Sequence, residues 1–109
     1  MPTINITSEK ELNKVIDTDK LVIADFWADW CGPCRIQSPI LETLVANYPD
    51  DVVIAKIDVD KNEALSKNYK ISSIPTMILF SEGKSQGTPI IGVTGLRHLE
   101  SIVSNFKNK

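Results

Sequence analysis

Leu21-Val22-Ile23-Ala24-Asp25-Phe26-Trp27-Ala28-Asp29-Trp30-Cys31-Gly32-Pro33-Cys34 ends on both cysteines of a 109-residue chain. From Leu21 to Phe26 the side chains are apolar on both alternating faces except at Asp25, as in a strand covered on both sides. Val52-Val53-Ile54-Ala55-Lys56-Ile57 repeats the pattern, with Lys56 as its exception. Between the two, Ile36, Ile40, Leu41, Leu44, Val45 and Tyr48 recur at helical spacing. A strand, a helix and a strand in that order predict a right-handed crossover joining a parallel central pair. The cysteine motif opens the crossover helix.

Outward from this unit, Ile4 to Ile6 reads as a short strand. Ser8 and Glu11 form a capping box for a first helix reaching about Ile16. Asp60 and Glu63 make a second box, opening a short helix to about Asn68. Met77 to Phe80 is a strand, Glu82-Gly83 a tight turn, and Lys84 to Val93 an edge strand in which Pro89 costs no central ladder bond. Thr94 caps the last helix, whose Leu96, Leu99, Ile102, Val103 and Phe106 form one apolar stripe. Pro39 should kink the crossover helix.

The length suits one domain, residues 1–109, burying on the order of two-thirds of its unfolded surface. Apolar content of 42%, charged content of 24% and a net charge of -2 show no basic stripe for nucleic acid or an anionic membrane. The longest apolar stretch, Leu21 to Ala28, is interrupted by Asp25, and no basic head precedes an apolar core at the N-terminus, so neither a membrane span nor a signal peptide is expected. With no cysteine beyond the motif, a reducing, cytoplasmic setting is expected.

Two cysteines three positions apart on the first turn of a helix lie roughly 5–6 Å apart, within reach of a disulfide. Exchange needs a thiolate, and a free thiol with a pKa near 8.5 is only about 3% ionised at neutral pH. Cys31, just before the helix, faces free backbone amides and the positive end of the helix dipole, which favour the anion. Cys34, a turn further in, should be more buried and less acidic. Cys31 is therefore expected to attack a partner's disulfide and Cys34 to resolve the mixed disulfide. Gly32 admits a partner backbone, and Pro33 is tolerated in the first turn. A structural disulfide, or a chance pair of reduced core cysteines, uses the same residues. A zinc site is short of ligands: two cysteines and one histidine, His98, to which no role is assigned.

Asp25 should be desolvated in its apolar strand, its pKa raised towards neutrality. It is expected to take the proton from Cys34, through a water, during resolution. It could instead cap the loop or pair with Lys56. Lys56 could hold Asp25 ionised or snorkel to solvent. Ile74-Pro75, on base rates, would be trans.

Asp25 to Cys34, Lys56-Ile57-Asp58-Val59-Asp60 and Ile74-Pro75-Thr76 together resemble the thioredoxin family, over nearly the whole chain and in the right order. The resemblance implies an α/β thioredoxin fold: a central five-stranded mixed sheet flanked by four helices. It implies a general protein-disulfide reductase that needs no cofactor or metal of its own, acts as a monomer, reduces disulfide-containing client proteins and is recharged by a thioredoxin reductase. It makes Pro75 cis, facing the cysteines. It also makes Trp30, Ile74, Pro75 and Gly92 a flat apolar surface on which an extended client segment pairs with the backbone at Ile74. Arg35 stands in place of the common lysine, and Ser73 where many relatives have a glycine or small residue. Ser85 to Ile90 runs one residue longer than the usual pattern, which predicts a bulged or shortened edge strand. An oxidase or isomerase on the same fold, or a binding subunit without cysteine chemistry, are the competing readings. Gly32-Pro33 resembles the reducing members.

Overall fold

Side-chain alternation in the central strands decides which face each helix covers. The computed structural model describes residues 3–109. Its elements are β1 (Thr3–Asn5), α1 (Glu9–Val15), β2 (Leu21–Trp27), α2 (Gly32–Asn47), β3 (Val52–Asp58), α3 (Glu63–Asn68), β4 (Thr76–Ser81), β5 (Lys84–Ser85), β6 (Ile90–Ile91) and α4 (Leu96–Lys107). The strands lie in the order β1-β3-β2-β4-β5, with β6 also on β4. β1, β3 and β2 are parallel; β4 runs antiparallel to β2. No helix among the described residues is long and apolar enough to cross a membrane.

Val22, Ala24 and Phe26 of β2 point to one side, with Ala55 and Ile57 of β3, and pack on Leu12, Ile16 and Leu65 from α1, its C-cap and α3. Leu21 and Ile23 point to the other, with Val52 and Ile54, and meet Leu41, Leu44 and Val45 of α2 and Leu99 and Val103 of α4. Both faces are covered, which is why the strands read as continuous apolar runs. The same alternation places Asp25 and Lys56 on the α2 side, directly paired in the β2–β3 register.

Ser8 caps α1 as expected, accepting from the Glu11 amide at 3.1 Å. Glu11 reaches back one residue further than a standard box, its Oε1 accepting from the Thr7 amide at 2.8 Å. The second box does not form. Asn62 is the N-cap of α3, with no side-chain cap bond; its Nδ2 donates to the Ile6 and Asp58 carbonyls, and the Asp60 carboxylate accepts from the Trp30 indole. Thr94 does not cap α4 either: Gly95 does, and Thr94 is buried beneath it. α2 runs through Pro39 as one helix of 16 residues. Ile36, placed by periodicity on its core face, is 59% exposed, and the position beside it holds a fully buried Gln37.

The edge strand is broken rather than continuous. β5 pairs with the end of β4 and β6 with its start, both antiparallel, and the stretch between leaves the ladder after Gln86, whose amide still donates to the Leu79 carbonyl at 2.7 Å. Gly87, at φ 71°, and Pro89, which lacks a donor, fall in that stretch. The two pieces occupy one edge, so the sheet is five strands wide with its fifth split. At Glu82-Gly83 both φ angles are positive, the pattern of a type I′ hairpin turn. Backbone bonds to the Thr18 and Ile16 carbonyls hold it there.

Phe26, fully buried and tilted against Tyr69, should be costly to truncate. Phe26→Ala is expected to lower the unfolding free energy by about 3–5 kcal/mol, read as a drop in the urea midpoint. Ile36→Lys should stay within about 0.5 kcal/mol of wild type.

Candidate active site

β2 is buried along nearly its whole length, and after Trp27 and Ala28 the chain turns directly into α2. Cys31 is the N-cap residue of that helix, with extended backbone, and its Sγ accepts from the Cys34 amide at 3.1 Å. A sulfur thus stands where a serine or aspartate oxygen usually satisfies the open amides of a helix start. Pro33 lies within the first turn, where its missing donor leaves nothing unpaired. Cys31 and Cys34 form a disulfide, with Cα atoms 5.3 Å apart.

Burial does not distinguish the two sulfurs. Cys31 is 4% exposed and Cys34 5%, against the expectation that Cys34 would be the more enclosed. In the closed disulfide both are covered, because Ala28, Trp27, Val59 and Ile74 pack around the pair. Surroundings distinguish them instead. Cys31 Sγ lies 3.8 Å from the Ile74 carbonyl oxygen, on the face where Trp30 and Ile74 border an open cleft with Val59 and Ile71. Cys34 faces a smaller cavity of about 140 Å³ lined also by Trp27, Arg35, Ser38 and Lys56, roomy enough to admit water.

Ile74-Pro75 is cis, as the resemblance implied and against its base rate. Pro75 is buried; its carbonyl accepts from the Gly92 amide at 2.9 Å. Gly92 has a φ of 90°, a conformation that β-branched neighbours such as Val93 would adopt only under strain. Trp30 is 68% exposed and its indole donates to Asp60 Oδ2 at 2.8 Å, which fixes the ring while leaving a face open. The sequence reading missed Ile91 and Val93, both exposed, which extend the apolar surface on either side of Gly92. Their place in an apparent edge strand hid them.

Asp25 is 1% exposed, and its Oδ1 has no hydrogen-bond partner among the described residues. Burial pushes its pKa up from 3.8 to about 6, partly offset by the nearby Lys56 charge. Lys56 is half-buried, donates to Ser38 Oγ at 3.2 Å and lies 4.8 Å from the Trp27 ring centroid. It makes no direct ion pair with Asp25 among the described residues, so the pairing alternative is not realised. It acts on Asp25 through space, from the neighbouring strand. Arg35 reaches back to the Asp29 carbonyl at 2.7 Å, bracing the loop ahead of the motif. His98 is exposed on α4.

A pair of sulfurs that closes within one helical turn, beside an exposed tryptophan and after a strand that carries a buried carboxylate on the face that helix covers, defines the class: a dithiol–disulfide oxidoreductase acting on proteins. The profile of the thioredoxin family matches residues 3–108. Among curated relatives, thioredoxin of Mycobacterium tuberculosis is 39% identical over 108 residues, covering 95% of this chain and 92% of that one. A bifunctional thioredoxin reductase/thioredoxin of Mycobacterium leprae is 38% identical over the same length, covering 95% of this chain and 23% of its own. The structure of a mutant thioredoxin from Halobacterium salinarum superimposes with a TM-score of 0.85 at 35% identity, covering 95% of this chain and 89% of that one. The chain belongs to the thioredoxin family.

Asp25 binds its proton more tightly in the folded state than in the unfolded one, so between pH 3.8 and about 6 stability falls as pH rises. Asp25→Asn has no such titration. The stability of the variant relative to wild type is expected to grow by about 2 kcal/mol from pH 4 to pH 7.5, measured by urea unfolding at each pH.

Proposed function

We propose that the protein, as a single domain spanning residues 1–109, is a cytoplasmic, monomeric reductase of disulfides in client proteins. The observation that carries the assignment of roles is the position of Cys31 at the N-cap of α2. The Cys34 amide and the helix dipole stabilise negative charge on its sulfur, and the client-facing cleft lies on its side of the motif.

Trp30, Ile74, Pro75 and Gly92, with Ile91 and Val93, receive an extended client segment, whose backbone pairs at Ile74. Cys31 thiolate attacks one sulfur of the client disulfide; a Cys31–client disulfide forms and the first client thiolate leaves. Cys34 then attacks the Cys31 sulfur, closing the Cys31–Cys34 disulfide and releasing the second client thiolate. Two electrons pass to the client. The proton of Cys34 goes to Asp25 through a water, and Lys56, which lines the cavity at Cys34 and lowers the Asp25 pKa, keeps Asp25 ionised enough to accept it. A thioredoxin reductase returns two electrons to the Cys31–Cys34 disulfide. The fusion of such a reductase to the M. leprae relative supports that partner.

Cys34→Ser should accumulate the mixed disulfide with a client, and Cys31→Ser should form none, both read by non-reducing electrophoresis. In the reduced wild type, iodoacetamide at mildly acid pH should label Cys31 first; equal labelling of the two thiols would undo the role assignment. Asp25→Asn should slow resolution on the order of 10²-fold at pH 7, and wild-type resolution should itself decline as pH drops through about 6. Identical rates for the two proteins across pH 6–9 would remove Asp25 from the proton path.

A further inference from the structure

Gln37 lies three residues beyond Cys34, on the buried face of α2, and is 0% exposed. A primary amide is tolerated in such a place only when its donors and acceptor are matched. Here one residue matches both ends. Gln37 Nε2 donates to the Thr94 carbonyl at 3.0 Å, and its Oε1 accepts from the Thr94 amide at 2.7 Å. A planar group held at two points fixes the orientation of the peptide as well as its distance. The Thr94 hydroxyl donates to the Gly92 carbonyl at 3.3 Å, and the Gly92 amide donates to the Pro75 carbonyl at 2.9 Å. The exposed Ile91 to Val93 stretch is thereby strung between the cis-proline on one side and the cysteine-bearing helix on the other. Apolar contact alone would let this loop slide; the paired bonds do not.

We propose that Gln37 is a positioning residue for client recognition: its amide clamps the Gly92–Thr94 backbone to α2 and so sets the docking loop at a fixed distance from Cys31. The inference rests on the reading that clients dock on Ile91 to Val93. An apolar replacement strips both backbone groups of Thr94 of their partners, and the loop must shift to find others. The sulfurs themselves, held by the N-cap of α2, are untouched. Gln37 therefore acts on how a protein client is seated, while the exchange step keeps its rate.

The test is stopped-flow reduction of insulin, and separately of the small disulfide 5,5′-dithiobis(2-nitrobenzoate), by protein reduced in advance, so that no reductase is needed. Gln37→Met is expected to raise the half-saturating insulin concentration about fivefold or more, with the limiting rate and the small-disulfide rate within about twofold of wild type. Gln37→Glu, which sets a carboxylate against the Thr94 carbonyl, should move insulin the same way. In the wild type, the Thr94 amide should exchange with deuterium far more slowly than the Val93 amide, a measurement that needs no variant to fold. Unchanged insulin saturation in Gln37→Met, an equal fall for both substrates, or a Thr94 amide that exchanges as fast as Val93 would overturn the clamp. Ile91→Ser combined with Val93→Ser separates the two readings. Weaker insulin saturation there with none in Gln37→Met sinks the clamp alone, and no change in either sinks the docking reading with it.

Discussion

A backbone amide donated to a sulfur at the start of α2 is the contact on which the rest of the site depends. Helix starts leave open amides, and most proteins close them with an oxygen. Here the capping atom is also the reactive one. The arrangement ties the chemistry of Cys31 to the existence of the helix, and the helix exists because Leu41, Leu44 and Val45 seat it on the sheet. Packing some distance away thus holds the donor that steadies the sulfur.

The second constraint is alternation. β2 and β3 each carry one charged residue within the apolar run, and the two are paired in register on the face that α2 covers. Shifting either strand by one residue would send Asp25 or Lys56 to the α1 and α3 side, away from the cysteines. Their common placement follows from the fact that Leu21, Ile23, Val52 and Ile54 share that face. The burial that perturbs Asp25 is therefore the same burial that stabilises the sheet.

Much of this was legible in the residues, and what was not has physical reasons. The apolar runs of β2 and β3, the Ser8 cap and the cysteine pair all announce themselves by period or by local chemistry. The cis bond before Pro75 was legible only by resemblance, since its local preference runs the other way. Ile36 lost its expected buried place to Gln37, on which the sequence reading was silent, because a helical stripe is broad enough to admit either and the partner that rewards burying the amide, Thr94, lies 57 positions away. Thr94 and Asp60 were misread as caps because both types suit a helix start, but the Thr94 hydroxyl turns back to the Gly92 carbonyl and the Asp60 carboxylate accepts from the distant Trp30 indole. Equal burial of the two cysteines was illegible because it belongs to the closed disulfide and the side chains around it.

The split of β5 and β6 has a consequence for colloidal behaviour. Sheets with a long free margin recruit other chains, which add on as extra strands and seed aggregates. Among the described residues, one margin of this sheet has three strand residues and the other two pieces of two, with Lys84 at the outset and Pro89 just before the second piece. A newcomer strand would find too short a ladder to grip on either side. The detour that disrupts the regular pattern therefore works as a guard against self-templated assembly.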